Sequence, residues 1–199
     1  MKQKTNIVLS GVGGQGVVTA ANLLGKAAVR AHVNVFSSEV HGMAQRGGSV
    51  SCTVRMGNVS GPLVPMGCAD VILSTEPAEA LRYICYANKN TIIITDVNPV
   101  IPFTVAVGGE TYPAVKQLFA ELQCHGTLYT IDALQIAKDV GAAITKNIVL
   151  LGALAATGVL PFKAEVLLET ILENVPPKYK DVNIKAFESG MNEIKKMKK

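Results

Sequence analysis

An apolar stretch beginning at Ile7 runs into Gly11, Gly13 and Gly16, spaced G-x-G-x-x-G, and out into the apolar-periodic Val17-Val18-Thr19-Ala20-Ala21. Few local structures accept that order. It reads as strand, tight turn and helix, the first β-α unit of a nucleotide-type α/β sheet. Gly11 is expected to allow the turn, Gly13 to let the backbone approach a ligand or a neighbouring chain, and Gly16 to let the helix pack closely on the strand. Amides left unpaired at the helix start face outward and favour an anion. In a dinucleotide fold an acid about 20 residues further on holds the ribose, and it has no clear counterpart here. Asn34-Val35-Phe36-Ser37-Ser38 reads as the second strand, and the first acid after it, Glu39, comes late and opens a polar loop. The glycines therefore suit a loop that binds something other than a dinucleotide, and also suit glycines that only pack.

The polar loop spans Glu39-Val40-His41-Gly42-Met43-Ala44-Gln45-Arg46-Gly47-Gly48. Beyond it Val50, Cys52, Val54 and Met56 alternate with Ser49, Ser51, Thr53 and Arg55, the pattern of a half-exposed strand turned at Gly57-Asn58. Asp70 to Ser74 and Thr91 to Thr95 are continuous apolar strands of the buried kind. The first leads into a helix with Thr75 as cap and Pro77 in its first turn. A strand or loop over 103–107, a helix over 113–123, a strand over 128–131 and a helix over 132–140 follow. From Thr145 the signal is helical: a buried helix to Thr157, an amphipathic one over 163–174, a Pro176-Pro177 break and a last helix from Asn183. The fold class is thus α/β, a Rossmann-like, mostly parallel sheet with helices on both faces and a helical C-terminal part. At 199 residues, 49% apolar, the chain suits a single domain over 1–199.

The net charge of +4 sits at the ends. Lys2, Lys4 and residues 185–199 hold seven bases against two acids, while 6–184 hold 12 bases and 13 acids. With no Trp and no basic-aromatic face, neither a nucleic-acid partner nor a membrane is expected. The N-terminus lacks a long apolar segment, and Ile148 to Ala156 is too short to span a bilayer, so a cytoplasmic location is expected. Cys52, Cys68, Cys85 and Cys124 are scattered with no C-x-x-C pair, which argues against zinc or an iron–sulfur cluster.

Taken together, Gly11 to Gly16 and Ser38-Glu39-Val40-His41-Gly42-Met43-Ala44-Gln45-Arg46-Gly47-Gly48-Ser49-Val50 resemble the gamma-type domain of the 2-oxoacid:ferredoxin oxidoreductases, most closely the small beta subunit of its indolepyruvate branch. Glu76-Pro77 with Glu79-Ala80, Asn147 with Leu151-Gly152-Ala153, and Asn183 with Ala186-Phe187 and Gly190 extend the likeness over nearly the whole chain. The resemblance implies thiamine-diphosphate-dependent oxidative decarboxylation of a 2-oxo acid, acyl transfer to coenzyme A, and electrons passed through [4Fe–4S] clusters to ferredoxin. This chain has no G-D-G followed by an N-N pair for Mg-diphosphate and no cluster of Cys ligands. The resemblance therefore implies that it binds none of these cofactors alone and supports a larger alpha subunit that does.

The candidate ligand-binding residues are Gly11, Gly13, Gly14, Gln15, Gly16, Glu39, His41, Arg46, Gly47 and Gly48. No catalytic residue and no metal ligand is assigned. The glycines and Gln15 would form a backbone nest for a phosphate or carbonyl oxygen, coenzyme A being the candidate the resemblance supplies. Arg46 beside Gly47-Gly48 offers a guanidinium fork to a carboxylate or phosphate, or else pairs with Glu39. His41 lacks an evident carboxylate to orient it, and Met43 and Met56 suit either core or a docking surface. Three alternatives stay open: the gamma subunit of a pyruvate or other 2-oxoacid oxidoreductase, a free-standing nucleotide-binding protein, and an interaction protein whose glycines only pack.

Overall fold

The computed structural model describes residues 4–42, 47–101, 105, 108 and 111–198. Its strands are β1 (Lys4–Val12), β2 (Val35–His41), β3 (Ser49–Gly57), β4 (Val71–Ser74), β5 (Ile92–Asp96) and β6 (Thr127–Ile131). The helices, in chain order, are α1 (Val17–Arg30), α2 (Pro77–Arg82), α3 (Val115–Gln123), α4 (Ala133–Asp139), α5 (Lys146–Ala156), α6 (Ala164–Glu173) and α7 (Lys180–Met197). The expected element over 103–107 lies mostly outside the described residues.

The six strands form one sheet in the order β2-β3-β1-β4-β5-β6. β1, β4, β5 and β6 pair in parallel, whereas β3 runs antiparallel to both β1 and β2. Every strand but β3 therefore points the same way, and the mostly parallel sheet is as expected. The placement of β2 is not what a simple β-α-β unit would give. The short link from β2 folds β3 back into the position beside β1, so β2 becomes the edge.

Successive side chains point to opposite faces of the sheet. Ile7, Leu9, Cys52, Val54, Met56, Leu73 and Ile94 point to one core, which α1, α4, α5, α6 and α7 cover. Val8, Ile72 and Ile93 point to a smaller core closed by Ala80 of α2 and Leu122 of α3. Helices thus lie on both faces. Among the described residues no helix is long and apolar enough to cross a membrane.

Several boundaries differ from expectation for identifiable reasons. β2 continues to His41 because Val40 and His41 pair with Ser51 and Val50, so Glu39 and His41 are strand residues rather than loop. α2 is capped by Glu76, whose carboxylate accepts from the Glu79 N–H at 2.9 Å, not by Thr75. Pro77 holds the preceding residue extended (φ −157°, ψ 135°), and the Thr75 hydroxyl is engaged elsewhere. α7 begins at Lys180, because a single 3-10 turn over Pro177–Tyr179 runs straight into it.

The C-terminal part is held to the sheet by an unusually close helix pair. A Cβ on Gly152 of α5 would stand 2.0 Å from the Phe187 carbonyl oxygen, and one on Gly190 of α7 1.9 Å from that of Val149. The backbones touch where side chains normally separate helices. Between them Leu151 and Phe187 are fully buried, where each such side chain contributes about 1.5–3 kcal/mol. Gly190→Ala should therefore force the pair apart at a cost of about 3 kcal/mol, read as a lowered urea midpoint with little change in the m-value.

Candidate functional site

The shared strand direction brings the carboxyl ends of β1, β4, β5 and β6 to one edge. The chain leaves β1 toward one side of the sheet and β4 toward the other, so β1 and β4 flank the switch point where open α/β sheets bind ligands. The glycine loop fills this crevice from the β1 side and Thr75 from the β4 side. Gln15 joins them: its side-chain carbonyl accepts from the Thr75 hydroxyl at 2.6 Å and from the Val12 N–H at 2.9 Å.

The glycines have different tasks from those expected. Gly11 lies within β1, not in the turn, and a Cβ there would sit 1.9 Å from Thr75 Oγ1 and 2.8 Å from Val17. It permits strand, helix and Thr75 to close on one another. Gly16 is the left-handed N-cap of α1 (φ 79°) and abuts Asn147 of α5, whose Nδ2 a Cβ would approach to 2.7 Å. It fits the loop to the C-terminal helices rather than α1 to the strand. Gly14 (φ 95°) is also left-handed, so the turn of Gly14, Gln15 and Gly16 needs glycine on both sides of Gln15. Among the described residues no acceptor stands opposite the N–H groups of Gly14, Gly16, Val17 and Val18. Four donors at a helix start form the anion-favouring arrangement.

Gly13 carries the most informative contact. Its N–H donates to the Gly48 carbonyl at 2.8 Å, and its carbonyl accepts from the Gly47 N–H at 3.3 Å. The two glycine-rich motifs are thus bonded to each other. Ser49 anchors the second one by donating to Glu79 Oε2 at 2.5 Å, and Glu79 also accepts from Arg82. Between the motifs opens a cleft of about 450 Å³ lined by Gly13, Gly14, Gly16, Thr19, Glu39 and His41. His41 does have a carboxylate neighbour, contrary to expectation: Glu39 stands 3.8 Å from Nε2, two residues back on the same side of β2, while Nδ1 meets the Gly42 carbonyl at 3.0 Å. Arg46, Gln45 and Met43 lie outside the described residues, and Met56 is fully buried in the core.

On the other side of the glycine loop a larger cavity, about 950 Å³, reaches from Gly14, Gln15 and Thr19 to Asn98, Lys146 and Asn183. Its floor is a buried polar network absent from the sequence-based site. Lys146, at the first turn of α5, donates to the Thr75 carbonyl at 2.8 Å and forms an ion pair with the fully buried Asp96 at the end of β5. The other Asp96 oxygen accepts from Asn98 Nδ2 at 3.0 Å and the Ala133 N–H at 3.2 Å. Glu76, also buried, accepts from the Val100 N–H and the Tyr112 hydroxyl besides capping α2. Burial and the Glu76 carboxylate both push the Tyr112 phenol well above its usual range. One signal for Lys146 was available: a cation at a helix N-terminus opposes the dipole and needs a nearby anion. Removing it should cost 3 kcal/mol or more in Lys146→Met, because Asp96 is left buried and uncompensated; urea unfolding measures this, with Lys146→Met/Asp96→Leu recovering part of the loss.

The thiols do not assemble a metal site. Cys52 is buried in the core on β3 while Cys68, Cys85 and Cys124 are exposed, and no three His, Cys, Asp or Glu side chains among the described residues are placed to hold an ion. Among the described residues the donor set does not fit an iron–sulfur cluster or a Mg-diphosphate. Burial pushes the Cys52 thiol up to about 11, helped by Glu39, its cross-strand partner. At pH 8 iodoacetamide should modify three thiols, with Cys52 joining only toward pH 11 or on unfolding. Between about 9 and 11 the native chain retains a proton that the unfolded chain has lost, so this thiol makes stability fall as pH rises; Cys52→Ala should flatten that fall.

The chain matches the family "Pyruvate ferredoxin/flavodoxin oxidoreductase" over residues 6–193. It is 49% identical over 195 residues to "Indolepyruvate oxidoreductase subunit IorB" of Pyrococcus horikoshii, covering 96% of each chain. Identity to the protein of the same name from Thermococcus kodakarensis is 48%, again with 96% of each covered. Among solved structures, the gamma subunit of a keto/oxoacid ferredoxin oxidoreductase from Geobacter sulfurreducens superposes with a TM-score of 0.71 at 25% identity, covering 96% of this chain and 99% of that one.

Proposed function

The chain belongs to the pyruvate ferredoxin/flavodoxin oxidoreductase family, and we propose that it is the small beta subunit of an indolepyruvate:ferredoxin oxidoreductase, its 199 residues forming one gamma-type domain. It is a subunit of an oxidoreductase complex rather than a complete enzyme. Thiamine diphosphate, Mg and the [4Fe–4S] clusters belong, on this reading, to a larger alpha subunit, which passes electrons to ferredoxin. The donor chemistry supports that division, since the described thiols and carboxylates fit none of these groups.

The observation that carries the reading is the bond between the two glycine-rich motifs. Gly13 to Gly48 locks the α1 N-terminus beside Glu39 and His41, so that free amides and a carboxylate–imidazole pair share one cleft. The N–H groups of Gly14, Gly16, Val17 and Val18 would hold a phosphate or carbonyl oxygen of coenzyme A at the subunit junction, in a loop whose shape Gly13 and Gln15 fix through their own hydrogen bonds. Gly47 and Gly48 would fix the second motif against the first, and Arg46 would supply a guanidinium fork for a carboxylate or phosphate. Coenzyme A, when bound, supplies the thiol that takes the acyl group. This chain's contribution is to bind and orient it and to keep the loop rigid through Gln15 and Thr75. Gly11 would serve the loop through close packing under Thr75.

The test is anaerobic purification of the tagged chain from its native cells, followed by kinetics of the recovered complex. A large iron-containing subunit and coenzyme-A-dependent oxidation of indolepyruvate are expected to accompany it. In that complex Gly13→Val should raise the KM for coenzyme A about tenfold or more, equivalent to at least about 1.4 kcal/mol of lost binding. Unchanged coenzyme A kinetics in an intact Gly13→Val complex would remove the loop from the ligand site. A colourless lone chain that binds a nucleotide would overturn the subunit assignment.

A further inference from the structure

We propose that the free edge of β2 is a self-complementary surface on which a second copy of this chain pairs, antiparallel and two-fold symmetric, to continue the sheet. The proposal does not depend on the activity assigned above. β2 is an outer strand of the sheet, and its side chains are exposed on both faces. Phe36 is 37% and Val40 67% exposed on one face. On the other, Gly25 and Val29 of α1 leave an open groove beside Val35 and Ser37. The opposite edge, β6, is shorter and largely half-buried. Natural edge strands are normally blunted by lysine, proline, a bulge or a covering element. Residues 35–41 contain neither Lys nor Pro, their one carboxylate is Glu39, and their register with β3 is uninterrupted.

The hydrogen-bonding phase of this edge follows from a single contact. The Gly57 N–H donates to the Asn34 carbonyl at 2.8 Å, so residues 34, 36, 38 and 40 turn their N–H and C=O groups toward β3. Val35, Ser37, Glu39 and His41 therefore turn theirs to the open side. A two-fold register centred on Ser38 places Val35 opposite His41 and Ser37 opposite Glu39 as hydrogen-bonded pairs. It places Phe36 of one copy opposite Val40 of the other in the narrow, non-hydrogen-bonded pairs, where side chains come closest. Aromatic against β-branched is a favourable cross-strand pair. Shifting the centre to Glu39 would set two carboxylates face to face, and shifting it to Ser37 would put Phe36 opposite Ser38. Sequence, exposure and backbone phase thus select one register. Charge agrees with it, since Glu39 faces Ser37 and no like charges are directly opposed.

Seven residues a side is well below the 20–30 of a standard interface, so pairing of the isolated chain belongs in the micromolar range. Equilibrium sedimentation of the full chain should show the mass rising from monomer toward dimer across that range. Hydrogen exchange should show the amides of Val35, Ser37, Glu39 and His41 slowing with concentration. Ser37→Pro removes an N–H that points away from β3 and leaves the β2–β3 ladder whole, so it should abolish the dimer with melting unchanged. Val40→Lys should weaken it at least tenfold. A chain that stays monomeric throughout, or a dimer that survives Ser37→Pro with the same exchange pattern, overturns the proposal. So does protection of residues 35–41 that arises only when the larger subunit is added, which would assign the edge to that subunit.

Discussion

Thr75 is the point on which the rest of the structure turns. Its N–H donates to the Ser10 carbonyl at 3.0 Å, its hydroxyl to Gln15 at 2.6 Å, and its carbonyl accepts from Lys146 at 2.8 Å. One nearly buried residue therefore ties β1, the glycine loop and the first turn of α5 to the end of β4. It also occupies the space that a side chain at position 11 would need, so the absence of a Cβ on Gly11 and the presence of a hydroxyl on Thr75 are one constraint. A buried polar group is tolerable only when its hydrogen-bonding capacity is met, and here every polar atom of Thr75 is used to hold the crevice open at one shape.

The network spreads from that point along the carboxyl edge of the sheet. Lys146 and Asp96 offset one another where neither would be stable alone, and Asp96 in turn holds Asn98 and the start of α4. Glu76 and Glu79 are both buried, and both hold backbone: Glu76 the segment at Val100 and Tyr112, Glu79 the start of β3 at Ser49. Breaking a buried ion pair costs far more than the pair itself contributes, so such a network makes the edge rigid more than it makes the fold stable. A rigid edge suits the proposed role of a subunit that presents a loop to chemistry carried elsewhere.

The antiparallel insertion of β3 has two consequences at once. By taking the place beside β1 it brings Gly48 to Gly13, which assembles the cleft with Glu39 and His41. By displacing β2 to the edge it leaves Phe36 and Val40 uncovered. The cleft proposed for a ligand and the strand edge proposed for a second chain are products of the same topological step, and Glu39 and His41 belong to both.

Much of this was legible in the chain. The period-2 alternation of Val50 to Met56 and the unbroken apolar runs of β4 and β5 follow from local residue chemistry, as does the glycine turn into α1, and each appears where patterning places it. The glycine loop and the Gly47-Gly48 motif together carried the family resemblance, and the structure bonds one to the other. Other features depended on neighbours distant in sequence. Periodicity says that β2 is a strand but not which strand it joins, so its end at His41 and its edge position emerged only from pairing with β3. Gly11 looked like a turn residue because its burden, Thr75, is 64 positions away. That Lys146, Asp96 and Glu76 are buried was not legible, although Glu76 belonged to the family likeness and Lys146 stood at a helix start, since burial is a property of the packed chain. The sequence by itself determined the elements, the family likeness and the lack of metal-ligand spacing, because those are set by residue type and short-range order. Only the tertiary structure decided which glycines pack and which leave amides free, which charges are buried, and which strand edge is left open, because each depends on what the fold brings alongside.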